Sequence, residues 1–237
     1  MYDKVFFAPW VGPYYDKPDS IFKGKVLIVG DSHYCEESVE CQKPCGKRDQ
    51  STETCHTFTE EVISLYLNPE CLKPEHRKWL KTFSTFINSV YGSIANQEMR
   101  QQFCDSVAFY NYLQVAAGKC PGLTNQYDYS SKTALSAFYE VMKELSPDVV
   151  ISWGDKVWNA LPNNWLSNNW LDNGEAQKGL DLVCDGSVFD RYLVYPFAGK
   201  HITLIGAHHP CRKYISAYHT SVYTHFGLLK NCGWLYE

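Results

Sequence analysis

The chain predicts an α/β fold: a single three-layer α/β/α domain around a central, mostly parallel sheet of four or five strands. Three observations carry this. Val26-Leu27-Ile28-Val29 is an uninterrupted aliphatic run that stops at Gly30. Val149-Val150-Ile151-Ser152-Trp153 repeats the pattern and stops at Gly154. Amphipathic segments of helical period lie between and after such runs, which gives a βαβ rhythm. Continuous aliphatic runs suit strands covered on both faces, as in parallel sheets whose crossovers are helices.

Taken in order, residues 1–25 are rich in aromatic side chains and turn formers (Pro9, Gly12, Pro13, Pro18) and read as an irregular lead-in packed on the core, with a short turn at Ser20 to Phe22. The first strand follows. Cys35 to His56 is polar and cysteine-rich, a loop-like insertion that cannot build a core of its own. Thr59 to Leu67 places Val62, Ile63, Tyr66 and Leu67 on one helical face. Trp79 to Tyr91 and Glu98 to Phe103 read as further helices. Ser106 to Tyr112 reads as the second strand, carrying Asn111 near its end. Ser131 to Leu145 is an amphipathic helix closed by Pro147, and Asp155 to Leu161 is the helix after the Val149 strand. Asn163 to Asn173 reads as a loop or irregular helix, and Asp181 to Val194 as one or two strands. His201 to Gly206 is a strand running into Ala207-His208-His209-Pro210, and Tyr214 to Leu229 is the terminal helix.

Length and charge narrow the function classes. At 237 residues the chain suits one large α/β domain, residues 1–237, with an insertion at 35–56. Its formal charge of −4 gives no global attraction to nucleic acid or anionic membrane, so such binding needs a local basic patch. No apolar run approaches membrane-spanning length, and the first ten residues have no signal-peptide pattern. We therefore expect a cytoplasmic monomer with no membrane partner.

Parallel strands bring their carboxyl ends to one edge, and in open α/β sheets ligands bind beyond that edge. The polar clusters at Asp31 to Tyr34, Asn111, Trp153-Gly154 and His208 to Arg212 would then converge. Asp31, Ser32, His33 and Tyr34 would form the rim of a cleft.

Gly30-Asp31-Ser32-His33-Tyr34, Asn111 within Phe109-Tyr110-Asn111-Tyr112, and His209-Pro210 within His208-His209-Pro210-Cys211 occur in an order and at spacings that resemble the uracil-DNA glycosylase superfamily. Pro147 to Gly154 also looks like a strand found in several of its families. The resemblance spans about Lys25 to Leu229 and implies cleavage of the N-glycosidic bond of uracil or another damaged base, flipped out of DNA because the bond is unreachable in the stack. It implies that His209 stabilises charge on the departing base, that Asn111 pairs with the base edge, and that Tyr34 screens out bulkier bases. In the best-known families the third residue of the first motif is Asp or Asn, which positions or activates water. Ser32 stands there. Asp31 is therefore the first candidate for water activation or oxocarbenium stabilisation, and His33 replaces a common proline as a second polar contact or base. Gly30, Pro210 and His208 belong to the same motifs, His208 alternatively being a histidine bonded to backbone. Asn111 alternatively closes a turn, and Arg212 and Lys213 contact phosphate or are simply solvated.

Cys35, Cys41, Cys45 and Cys55 can close a tetrahedral zinc site bracing the insertion, with His56 able to replace one thiolate. An iron-sulfur cluster and plain reduced cysteines are the alternatives. Cys71, Cys104, Cys120, Cys184, Cys211 and Cys232 are scattered and read as small apolar fillers.

Two other classes compete. Gly30-Asp31-Ser32 after an N-terminal strand also opens Gly-Asp-Ser esterases, with Ser32 as nucleophile. No histidine here has Asp three residues before it, so the second half of that motif is missing. A non-catalytic nucleic-acid or nucleotide-binding member of the fold fits the acidic charge and Ser32. A zinc hydrolase built on His208 and His209 would need further ligands nearby.

Overall fold

The computed structural model describes residues 2–34, 53–116, 128–129, 131–167, 177–178, 182–184, 187–189, 192–197, 199–207 and 209–210. Four strands form the parallel centre: β2 (Val26–Gly30), β3 (Val107–Asn111), β4 (Val149–Trp153) and β9 (Lys200–Ala207). They lie in the order β3-β2-β4-β9. The first three are buried along their whole length, which is why their sequences are continuously apolar instead of alternating.

The sheet is wider than the sequence predicts. The two-residue β1 (Trp10–Val11) pairs antiparallel with β3 at one edge, and β8 (Tyr192–Phe197) followed by β5 (Gln177–Lys178) continues antiparallel from β9 at the other, making seven strands. Setting the two-residue edges aside, five strands remain, mixed in direction. The stretch from Asp181 to Val194 also yields a separate hairpin of β6 (Leu182–Cys184) and β7 (Ser187–Phe189).

Alternation along the strands sorts two cores, one on each face. Leu27, Val29, Ala108, Tyr110, Val150, Ile202 and Leu204 pack with α5 (Lys132–Leu145) and the start of α6 (Asp155–Ser167). Val26, Ile28, Val107, Phe109, Val149, Ile151, Trp153 and Ile205 pack with α2 (Phe58–Leu67), α3 (Leu80–Tyr91) and α4 (Gln97–Ser106). This is a three-layer α/β/α arrangement. Helices α5 and α4 start at side-chain caps. The Ser131 hydroxyl accepts from the Ala134 N–H at 3.2 Å to start α5, and the left-handed Ser146 (φ 44°), followed by Pro147, ends it. Asn96 caps α4 through the Met99 N–H at 2.8 Å.

Several boundaries differ from expectation. Helix α6 continues past Leu161 to Ser167, so for residues 163–167 the helical alternative holds of the stretch expected as a loop or irregular helix. Glu53–His56, the end of the cysteine-rich insertion, is a short helix, α1. Cys104 is buried and its thiol is pushed up to about 12 by desolvation, as suits a filler. Cys71 is exposed at the end of a 3-10 turn, so it fills nothing. The predicted helix at Tyr214 to Leu229 lies outside the described residues. No helix among the described residues is long and apolar enough to cross a membrane.

Candidate functional site

The carboxyl ends of the parallel strands are level. Gly30 is register partner of Asn111, Val29 of Ser152, and Trp153 of Ala207. Pairing continues past the strand ends: the Tyr112 N–H donates to the Gly30 carbonyl at 3.0 Å, the Leu113 N–H donates to the Asp31 carbonyl at 3.0 Å, and His33 bridges in parallel to Ala116. The first motif is thus a continuation of the sheet.

That continuation corrects the expected rim. Asp31 and Tyr34 are half-buried, whereas Ser32 and His33 are 8% and 3% exposed. A segment that keeps strand-like pairing must turn some side chains inward. His33 lies in an aromatic box, with ring centroids 4.8 Å from Phe7 and 4.9 Å from Phe58, and its Nε2 is bonded to Thr59 Oγ1 at 3.0 Å. Burial lowers its pKa to about 3, so the ring is neutral. It braces the motif against α2. The Ser32 hydroxyl is buried with no hydrogen-bond partner among the described residues.

Gly30 and Asn111 are brought into contact. A methyl group on Gly30 would overlap Asn111 Oδ1 and touch Phe109 Cζ, so the absent side chain is what lets the amide lie across β2. At the neighbouring strand, Gly154 has φ +96°, and its Cα is covered by His209, whose Cβ would stand 3.3 Å from an added methyl. His209 is half-buried and Pro210 buried. His209 lies against the end of β4 and Asn111 ends β3, strands two spacings apart, about 10 Å.

Asp31 points to the other face. Tyr129, which packs against the α5 side of the core, donates its hydroxyl to Asp31 Oδ1. Tyr129 stacks on Tyr112 with an interplanar angle of 8°, the Tyr112 hydroxyl donates to the Tyr129 carbonyl at 3.0 Å, and Lys156 Nζ lies 5.6 Å from the Tyr129 ring centre.

Gln114 fixes the end of β3. Its Oε1 accepts from the Phe6 and Phe7 N–H groups at 2.7 and 3.1 Å, and its Nε2 donates to the Tyr110 hydroxyl and the Asn111 carbonyl, both at 2.9 Å. All four bonds available to an amide are made, in a side chain 3% exposed. Sequence reading missed both Gln114 and Tyr129, since neither sits in a periodic or motif-like context. Trp153, by contrast, belongs to the apolar face: it packs on Phe83, Phe86 and Phe109 and lines an apolar cavity of about 10 Å³.

Of the cysteines read as zinc ligands, Cys35, Cys41 and Cys45 lie outside the described residues, as do His208 and Arg212. Cys55 sits on α1 beside Phe6 and Phe7. The neighbouring His56 bonds the Phe6 carbonyl through Nδ1 at 3.0 Å. Among the described residues no three His, Cys, Asp or Glu side chains converge in a way that could hold a metal.

No protein-family model matches the chain, and no curated protein matches it either.

Proposed function

We propose that this chain is a uracil-DNA glycosylase-like protein that excises uracil or another damaged base from DNA, acting as a cytoplasmic monomer. The observation that supports it most is the level edge that sets Gly30 and Asn111 beside each other and brings His209 over Gly154. In this reading Asn111 reads the edge of the flipped base. Water held by Asp31 adds to C1′ as the C1′–N bond breaks. The water's proton passes to the Asp31 carboxylate, the bonding pair leaves with the base, and His209 stabilises the charge on the base oxygen. Arg212 would contact a flanking phosphate. A zinc ion on Cys35, Cys41, Cys45 and Cys55 would brace the insertion that follows the first motif, with an iron-sulfur cluster as the alternative; metal analysis should find about one zinc per chain.

The test is release of free base from single- and double-stranded DNA carrying uracil or other lesions. Asp31→Ala and His209→Ala should each abolish it. A second reading, a non-catalytic nucleic-acid or nucleotide binder of the same fold, is favoured by Ser32 occupying the position of the family's Asp or Asn. It predicts DNA binding without release. The esterase reading fares worse, because an acyl-transfer serine needs a base within hydrogen-bond reach and the Ser32 hydroxyl is buried without a partner among the described residues. No base release, together with Ser32-dependent hydrolysis of p-nitrophenyl acetate, would reinstate it.

A further inference from the structure

We propose that Tyr129 is a positioning residue that sets the carboxylate of Asp31, an assignment that rests on the base-excision reading above. A half-buried aspartate at a strand end can rotate about two side-chain bonds, and a water held by a rotating carboxylate is seldom aligned for attack. Three contacts remove that freedom. The backbone of Asp31 is pinned by the Leu113 N–H at 3.0 Å. Its Oδ1 accepts from the Tyr129 hydroxyl. The Tyr129 ring is itself held by the parallel, fully buried Tyr112, whose hydroxyl reaches the Tyr129 carbonyl at 3.0 Å.

With Oδ1 committed to the phenol, Oδ2 is the oxygen left for water. Lys156, in the first turn of α6, completes the arrangement. Its ammonium lies 5.6 Å from the Tyr129 ring centre, within cation–π range, and so helps to hold the ring in place. The carboxylate, phenol and ammonium come from three separate segments, so nothing local in the sequence couples them.

The experiment compares wild type, Tyr129→Phe, Asp31→Asn and the double variant. Single-turnover release of uracil from a uracil-containing duplex is measured alongside DNA affinity, melting temperature and the hydroxyl-proton region of the NMR spectrum. Tyr129→Phe is expected to slow release about 10- to 100-fold. Its DNA affinity should stay within about twofold of wild type, and it should have no further effect when Asp31 is already Asn. A slowly exchanging hydroxyl proton should be present in wild type, absent in Tyr129→Phe and displaced in Asp31→Asn. Losses that add in the double variant, or a fall in affinity and melting temperature that accounts for the slower release, would overturn the proposal. If wild type releases no base, the base-excision reading fails, and the hydroxyl proton decides the pairing: its response to Asp31→Asn supports it, and its absence overturns it.

Discussion

At the amino edge of the parallel strands Asp148 accepts from the Lys25 N–H at 2.8 Å and from Lys200 Nζ at 2.7 Å, tying the entries of β2, β4 and β9 together. At the carboxyl edge, a few residues along the same strands, the buried Ser32 hydroxyl has no partner among the described residues, Gly154 holds a positive φ, and the absent side chain of Gly30 makes room for Asn111. The amino edge pairs Asp148; the carboxyl edge pairs Gln114, His33 and Asp31 but leaves the Ser32 hydroxyl and the Trp153 indole N–H without a partner among the described residues. Buried polar atoms are nearly always paired in folded proteins, so the difference marks the carboxyl edge as the less fully satisfied of the two.

Acidification should separate the edges most strongly. Because burial lowers the His33 pKa from 6.5 to about 3, the unfolded chain binds a proton across that window while the native state does not. Stability contributed by neutral His33 is therefore complete above pH 6.5 and falls by up to about 1.4 kcal/mol per unit as pH drops toward 3. Urea unfolding at several pH values should show His33→Gln with a shallower slope. Asp148→Ala is next: leaving the Lys25 N–H and Lys200 without their acceptor should cost about 1–3 kcal/mol in the same assay, with base release unchanged per folded molecule.

Gly30→Ala tests the other edge. The added methyl must displace the Asn111 amide, so stability should fall by about 1–3 kcal/mol, and base release should fall further than stability explains. The smallest effect belongs to Ser32→Ala. Removing an unpaired buried hydroxyl should leave stability unchanged or raise it by up to about 1 kcal/mol, and thermal melting would reveal the sign. A large loss of stability there would mean that Ser32 is bonded after all and would blur the contrast between the edges.

What could be read from the residues follows the same division. Strands β2 and β4 and helix α5 announce themselves through aliphatic runs and helical period, because burial on a regular element leaves a regular pattern. The two-residue β1 leaves none: it is held from outside, by pairing with β3 and by the Trp10 Nε1–H donating to the Cys104 carbonyl at 2.9 Å. Gly30 and Asn111 were legible as strand ends because each closes a strand, and His209 because it follows the end of β9 by two residues. His33 was misplaced because pairing beyond Gly30, invisible in a single strand's composition, decides which side chains turn inward. Gln114 and Tyr129 act on partners far away in the chain, where no local spacing records them.

The strand order has a consequence for synthesis. Strand β2, the apolar Val26–Gly30, emerges from the ribosome first among the parallel strands, yet its two neighbours begin only at Val107 and Val149. At about 5–20 residues per second, β2 waits several seconds or more with both edges open. The nascent chain is then most vulnerable to self-association, and slower translation before Asn111 should lower the yield of soluble protein more than equal slowing after Trp153.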